Sequence, residues 1–165
     1  MKKLVLLISV VALSSLFSCT KEVSDDSFDL KASKMEQIGG LFESIARQPD
    51  MADVLISSTE SLYSDYTELL PLSDQAIVQR GKARGYAFGM LFSSIARQPE
   101  AYMQLDAAAE KFLGKYDASY ISDELSEITT TFAFTLLTES IARQPEADSL
   151  FNAACKKYLN FEIGE

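Results

Sequence analysis

Ser44-Ile45-Ala46-Arg47-Gln48-Pro49-Asp50 returns as Ser94-Ile95-Ala96-Arg97-Gln98-Pro99-Glu100 and again as Ser140-Ile141-Ala142-Arg143-Gln144-Pro145-Glu146. Pro49 and Pro99 lie 50 residues apart, Pro99 and Pro145 46 apart, a period that belongs to arrays of helical hairpins. Proline fixes φ, lacks an N–H and drives the preceding residue out of the α region. A helix running into Arg-Gln-Pro therefore stops at the glutamine. The same proline suits the first turn of a following helix, where a missing donor costs nothing. The acid after it meets the positive end of the new helix, and the arginine before it sits at the negative end of the old one. Each copy predicts a corner: one helix in, a sharp turn, one helix out.

The flanks repeat too. Ile45, Ile95 and Ile141 stand four residues before the proline, Leu41, Leu91 and Leu137 eight before, and Ile38, Phe88 and Phe134 eleven before. That spacing draws one apolar stripe down a helix. After the proline, Leu55, Leu105 and Phe151 match at six, and Leu62, Phe112 and Tyr158 at thirteen. The pattern predicts an all-α domain over residues 30–165, with six helices in three helix–corner–helix repeats at about 30–70, 73–117 and 122–161. They stack as a short right-handed array or close into a compact bundle.

Within the first repeat, the second helix is expected to present Met51, Val54, Leu55 and Leu62. In the second, Gly81, Gly85 and Gly89 fall at four-residue steps on the helix from Asp74. Each costs about 1 kcal/mol relative to alanine, so three in line need a reason. Close approach of a neighbouring helix is the favoured one; a groove that admits a ligand along the stripe is the other. In the third, Ile128-Thr-Thr-Thr-Phe-Ala-Phe-Thr is rich in residues that favour strands, but alignment with the other copies makes it a helix. Phe161-Glu-Ile-Gly-Glu reads as a fraying tail.

Ahead of the repeats, Met1-Lys2-Lys3 and the apolar run from Leu4 to Phe17 have the form of an export signal, too short to span a membrane. The run ends in Leu16-Phe17-Ser18-Cys19, which resembles the lipobox of bacterial lipoproteins, with Phe17 similar to variants in Bacteroidota lipoproteins. The resemblance implies removal of residues 1–18, lipidation of Cys19, and anchoring in the cell envelope, most naturally at the outer membrane. Residues 19–29, polar and acidic, read as a flexible tether.

The chain carries a net charge of −9, which becomes −11 once Lys2 and Lys3 leave with the signal. Phosphate backbones would be repelled, so no nucleic-acid partner is expected. Attachment to the membrane is expected through lipid on Cys19 alone. There is no histidine, which removes the usual general base and the commonest metal ligand. Without Cys19, Cys155 is the one remaining thiol, aligned with Thr59 and Ala109 and read as structural. No phosphate loop, cofactor fingerprint or metal motif appears, so neither a catalytic site nor a cofactor is expected. Arg47, Arg97 and Arg143 are read as corner supports, taking helix-end carbonyls or an acid of the adjacent repeat, with contact to a ligand as the other role. The expected function is a non-catalytic interaction or structural module of the envelope, meeting an unknown envelope protein. The alternative is a binding protein for a small apolar or amphipathic ligand held between helices.

Overall fold

The computed structural model describes residues 26–63, 74–114 and 123–163. The export signal, Cys19 and the first part of the tether lie outside them. Six α-helices, and no strand, form among the described residues: α1 (Asp26–Arg47), α2 (Ala52–Tyr63), α3 (Asp74–Arg97), α4 (Tyr102–Phe112), α5 (Asp123–Arg143) and α6 (Asp148–Leu159).

The three corners have one geometry. Gln48, Gln98 and Gln144 adopt φ/ψ of −141°/71°, −143°/75° and −138°/70°. Each glutamine N–H still donates to the carbonyl of the motif serine, at 3.0, 3.0 and 2.9 Å. Its own carbonyl then accepts from Met51, Ala101 or Ala147 N–H, at 3.0, 3.0 and 3.1 Å, closing a short 3₁₀ turn that opens on the proline. The backbone groups at the bend are thus satisfied by the backbone, with no side-chain cap.

Identical corners let the hairpins stack in register. Ile128, Phe132 and Leu136 of α5 sit over Gly81, Gly85 and Gly89 of α3, and Tyr86 and Met90 of α3 sit over Gly39 of α1. Because the paired numbers rise together, α1, α3 and α5 run parallel. They form one layer with α3 in the middle. The short helices form a second layer: α4 packs on both α1 and α3, and α6 on both α3 and α5. This is an open array rather than a closed bundle. Between the layers lie Phe42, Phe88, Phe92 and Phe151, all fully buried, with Phe92 and Phe151 edge to face at 6.5 Å. Burial of each such ring contributes on the order of 2–3 kcal/mol.

Aligning the copies assigns a direction to each long helix. The side facing the next repeat carries Met35, Gly39, Phe42 and Ala46 on α1, and Gly81, Gly85, Gly89, Phe92 and Ala96 on α3; all are buried. The side facing the previous repeat includes Ser94 on α3 and Ser140 on α5, again buried. Their counterparts at the two ends of the array are exposed: Ser44 on α1, and Glu127, Thr131, Thr135, Thr138 and Ala142 on α5. The motif serine faces back and the motif alanine faces forward, and each is small because a helix backbone passes close by.

Several expectations are corrected. Helix α1 starts at Asp26, inside the stretch read as tether; acids in a first turn favour helix. Met51, in the turn before α2, and Val54 on it are exposed, and Ala52 and Ile56 are buried instead, because no described helix covers that edge. Phe134 is 46% exposed, as no described helix covers it in the way that α6 covers Phe88. The C-terminal segment does not fray through residue 163. Asn160 takes the left-handed conformation (φ 51°) that ends α6, and Ile163 N–H donates to Asn152 Oδ1 at 3.0 Å. The threonine-rich helix α5 forms as aligned. Thr129, Thr130 and Thr131 hydroxyls donate to the carbonyls four residues back at 2.7, 2.9 and 2.8 Å, an arrangement that helical threonine readily adopts.

The glycines provide a paired test. A Cβ on Gly85 would stand 2.5 Å from Phe132 Cβ and 2.6 Å from the Thr129 carbonyl oxygen, whereas one on Gly40 would meet nothing within 4 Å. Gly85→Ala should lower stability by about 1–3 kcal/mol through forced separation of α3 and α5. Gly40→Ala should raise it by up to about 1 kcal/mol through helix propensity. Urea unfolding of the two variants reads both signs.

Candidate functional site

The proline corners bring the motif arginines to one edge of the array, at the C-terminal ends of α1, α3 and α5. Glu43, one turn before Arg47, holds two of them. Arg47 Nη2 reaches its Oε1 at 2.6 Å along the helix, and Arg97 Nη1 reaches the same oxygen at 3.2 Å from the neighbouring repeat. The position of Glu43 is Ser93 in the second copy and Glu139 in the third, so Arg97, lacking an acid one turn back, crosses to α1. The hydrogen bond from Arg97, with the charge of Arg47, holds the Glu43 carboxyl below the usual glutamate range. Arg143 makes no ion pair with a described residue. These side chains are largely exposed, so each pair contributes little to stability. Only the Arg97 pair joins adjacent repeats.

The glycine stripe is filled. Ile128 Cγ2 would lie 2.5 Å from a Cβ on Gly81, Phe132 Cβ equally close at Gly85, and Leu136 closes on Gly89. No ligand groove runs between α3 and α5 at these positions. Cys155 is fully buried, and burial pushes its thiol up to about 12. A thiol raised in this way stays protonated at neutral pH. Among the described residues there is no group of three or more His, Cys, Asp or Glu able to hold a metal ion, and no helix long and apolar enough to cross a membrane.

Two features escaped the reading of the sequence. The first is a tie across the second layer. Tyr158 donates to Asp106 Oδ1 at 2.7 Å, and Lys157 Nζ reaches Asp106 Oδ2 at 2.9 Å and Glu110 Oε2 at 3.1 Å. A parallel contact, Lys111 Nζ to Glu60 Oε2 at 2.5 Å, joins α4 to α2. The lysines stand at one repeat position and Glu60 and Glu110 at another, so aligning the short helices by charge would have found the rule. The second is Arg84. It is buried on α3, donates from Nη2 to the Leu113 carbonyl at 3.4 Å, and lies 5.6 Å from the Phe88 ring. It thereby serves the carbonyl at the end of α4, a duty the sequence reading had given to the motif arginines.

What remains open is the forward face of α5. A groove of about 980 Å³ runs along it, with Glu127, Thr131, Phe134, Thr138 and Glu139 on the helix and Phe161 on the C-terminal segment. Thr131 and Thr138 spend their hydroxyl protons on the carbonyls of Glu127 and Phe134. The groove therefore offers methyl groups, one aromatic ring edge to face with another at 5.6 Å, and carboxylates. Aspartate and glutamate line it without a lysine or arginine. The signal was present in the sequence: at the positions of Gly81, Gly85 and Gly89, the third copy has Glu127, Thr131 and Thr135.

The second-layer tie has a pH signature. The Asp106 hydrogen bond raises the Lys157 ammonium, and burial followed by the same carboxylate raises the Tyr158 phenol. In the unfolded chain these groups lose protons near pH 10 and 10.4. Their contribution is therefore complete at neutral pH and is lost as pH climbs above about 10. Melting temperature should fall through that range, and Tyr158→Phe should both lower stability at pH 7, by about 1 kcal/mol, and flatten the alkaline fall. No known protein family, curated protein or solved structure matches the chain.

Proposed function

We propose that this chain is an envelope lipoprotein, tethered through lipid on Cys19, whose three-repeat array is a non-catalytic module for holding another envelope protein. The observation that carries the reading is the unequal treatment of equivalent faces. The forward sides of α1 and α3 are filled by a neighbouring helix, while that of α5 is left as a grooved, half-apolar surface. The lipobox-like Leu16-Phe17-Ser18-Cys19 supports the anchor. The absence of histidine and the protonated, buried Cys155 argue against general-base and thiol chemistry.

A second reading, a carrier of a small amphipathic molecule, keeps only the α5 groove, because the glycine stripe is filled. Its place is outside the helix layer rather than between helices.

The anchor is tested by expressing the full chain and its Cys19→Ser variant in a Gram-negative host fed an alkyne palmitate analogue. The wild type should label and sediment with outer membranes; the variant should lose the label and the sedimentation together. An unlabelled wild-type chain, or a variant that still sediments with membranes, would remove the anchoring half of the proposal.

A further inference from the structure

We infer that the forward face of α5 is a docking site for a single amphipathic, basic helix of a partner protein, running parallel to α5. This deepens the reading above and rests on it. The same face on α1 holds α3, and the same face on α3 holds α5, both in parallel register. On α5 it holds nothing among the described residues.

The charge of the occupant follows from position. Glu139 stands where Glu43 stands in the first repeat, and Glu43 takes Arg97 from the helix docked beside it at 3.2 Å. A helix docked on α5 in the same way brings its own cation to Glu139. Glu127 and Asp123 add negative charge along the groove, with no lysine or arginine among its lining residues. A basic helix is steered there and an acidic one is repelled.

That one helix docks, rather than a whole further repeat or a second copy of this chain, follows from the C-terminal segment. Phe88 on α3 is met by Tyr158 from the short helix of the next repeat, with ring centroids 6.1 Å apart. Phe134, the same position on α5, is met instead by Phe161. Phe161 thus stands where another short helix would come, while the long-helix site beside it stays open. A second copy would bring α2 with its α1. Its rear face offers Gly40, with no side chain where the docked faces of α3 and α5 present Met90 and Leu136.

The probe is a synthetic, fluorescein-labelled peptide of residues 74–98. It carries Arg80, Lys82, Arg84 and Arg97 against one acid, Asp74, and is the helix that fills this face on α1. A hydrocarbon-stapled version removes weak helicity as a cause of failure. Titrated with the full chain, it should bind saturably by fluorescence anisotropy. Binding should weaken about tenfold with Glu139→Arg and recover when that variant is offered the R97E peptide. Thr131→Lys, on the exposed groove floor, should also weaken it, while both variants melt like the parent chain. Four results overturn the inference. They are no saturable binding by the stapled peptide, binding indifferent to Glu139→Arg, and binding lost with Glu43→Arg instead, which means that the peptide has displaced α3. The fourth is self-association of the chain in sedimentation that Glu139→Arg abolishes, which gives the face to a second copy. Palmitate labelling at Cys19 is unaffected by any of these, so failure here is separable from failure of the wider reading.

Discussion

The fold depends on one steric constraint, that the residue before a proline cannot stay helical. Applied at Gln48, Gln98 and Gln144, it gives three bends whose dihedral angles agree within a few degrees. Equal bends make equal hairpins, and equal hairpins present the same two sides of each long helix to their neighbours. Glycine on one side and a bulky residue on the other then meet at every internal joint, so that Met90 enters at Gly39 and Leu136 at Gly89. The core between the layers follows from that stacking.

Much of this was legible. The proline period gave six helices, and the stripe through Ile45, Leu41 and Ile38 gave the buried side of α1. Alignment was able to overrule the strand-like composition of α5 because threonine hydroxyls find the helix's own carbonyls. What stayed hidden was pairing between elements. Arg84 looks like any surface cation on a helix until Leu113, 29 residues away, supplies a carbonyl at its tip. Lys157 and Asp106, 51 residues apart, belong together only because α6 and α4 are neighbours. The exposure of Phe134 was also illegible from its own helix. Its spacing marks it as core, but no described helix covers it as α6 covers Phe88.

The third repeat departs from the other two at the same positions. Internal repeats carry glycine and apolar residues on the forward side; the last carries Glu127, Thr131, Thr135 and Thr138. A β-branched side chain stands where the internal joints have a glycine hole, so a helix docked there rests further out than α3 does on α1, and Phe161 occupies the second layer. Terminal repeats with polar outer faces are what let such arrays remain soluble. Here the ends differ, since the rear of α1 is small and polar whereas the front of α5 keeps a groove.

Parallel stacking of the long helices has an electrostatic cost that antiparallel bundles avoid. Three peptide dipoles point the same way side by side, so like-signed termini crowd one edge, each equivalent to roughly half an elementary charge. In a molecule of net charge −9, an uncompensated negative rim would push the repeats apart. One guanidinium at the end of each rod cancels that field locally. It does so whether or not a carboxylate lies within reach, which accounts for an arginine at Arg143 as well as at Arg47 and Arg97.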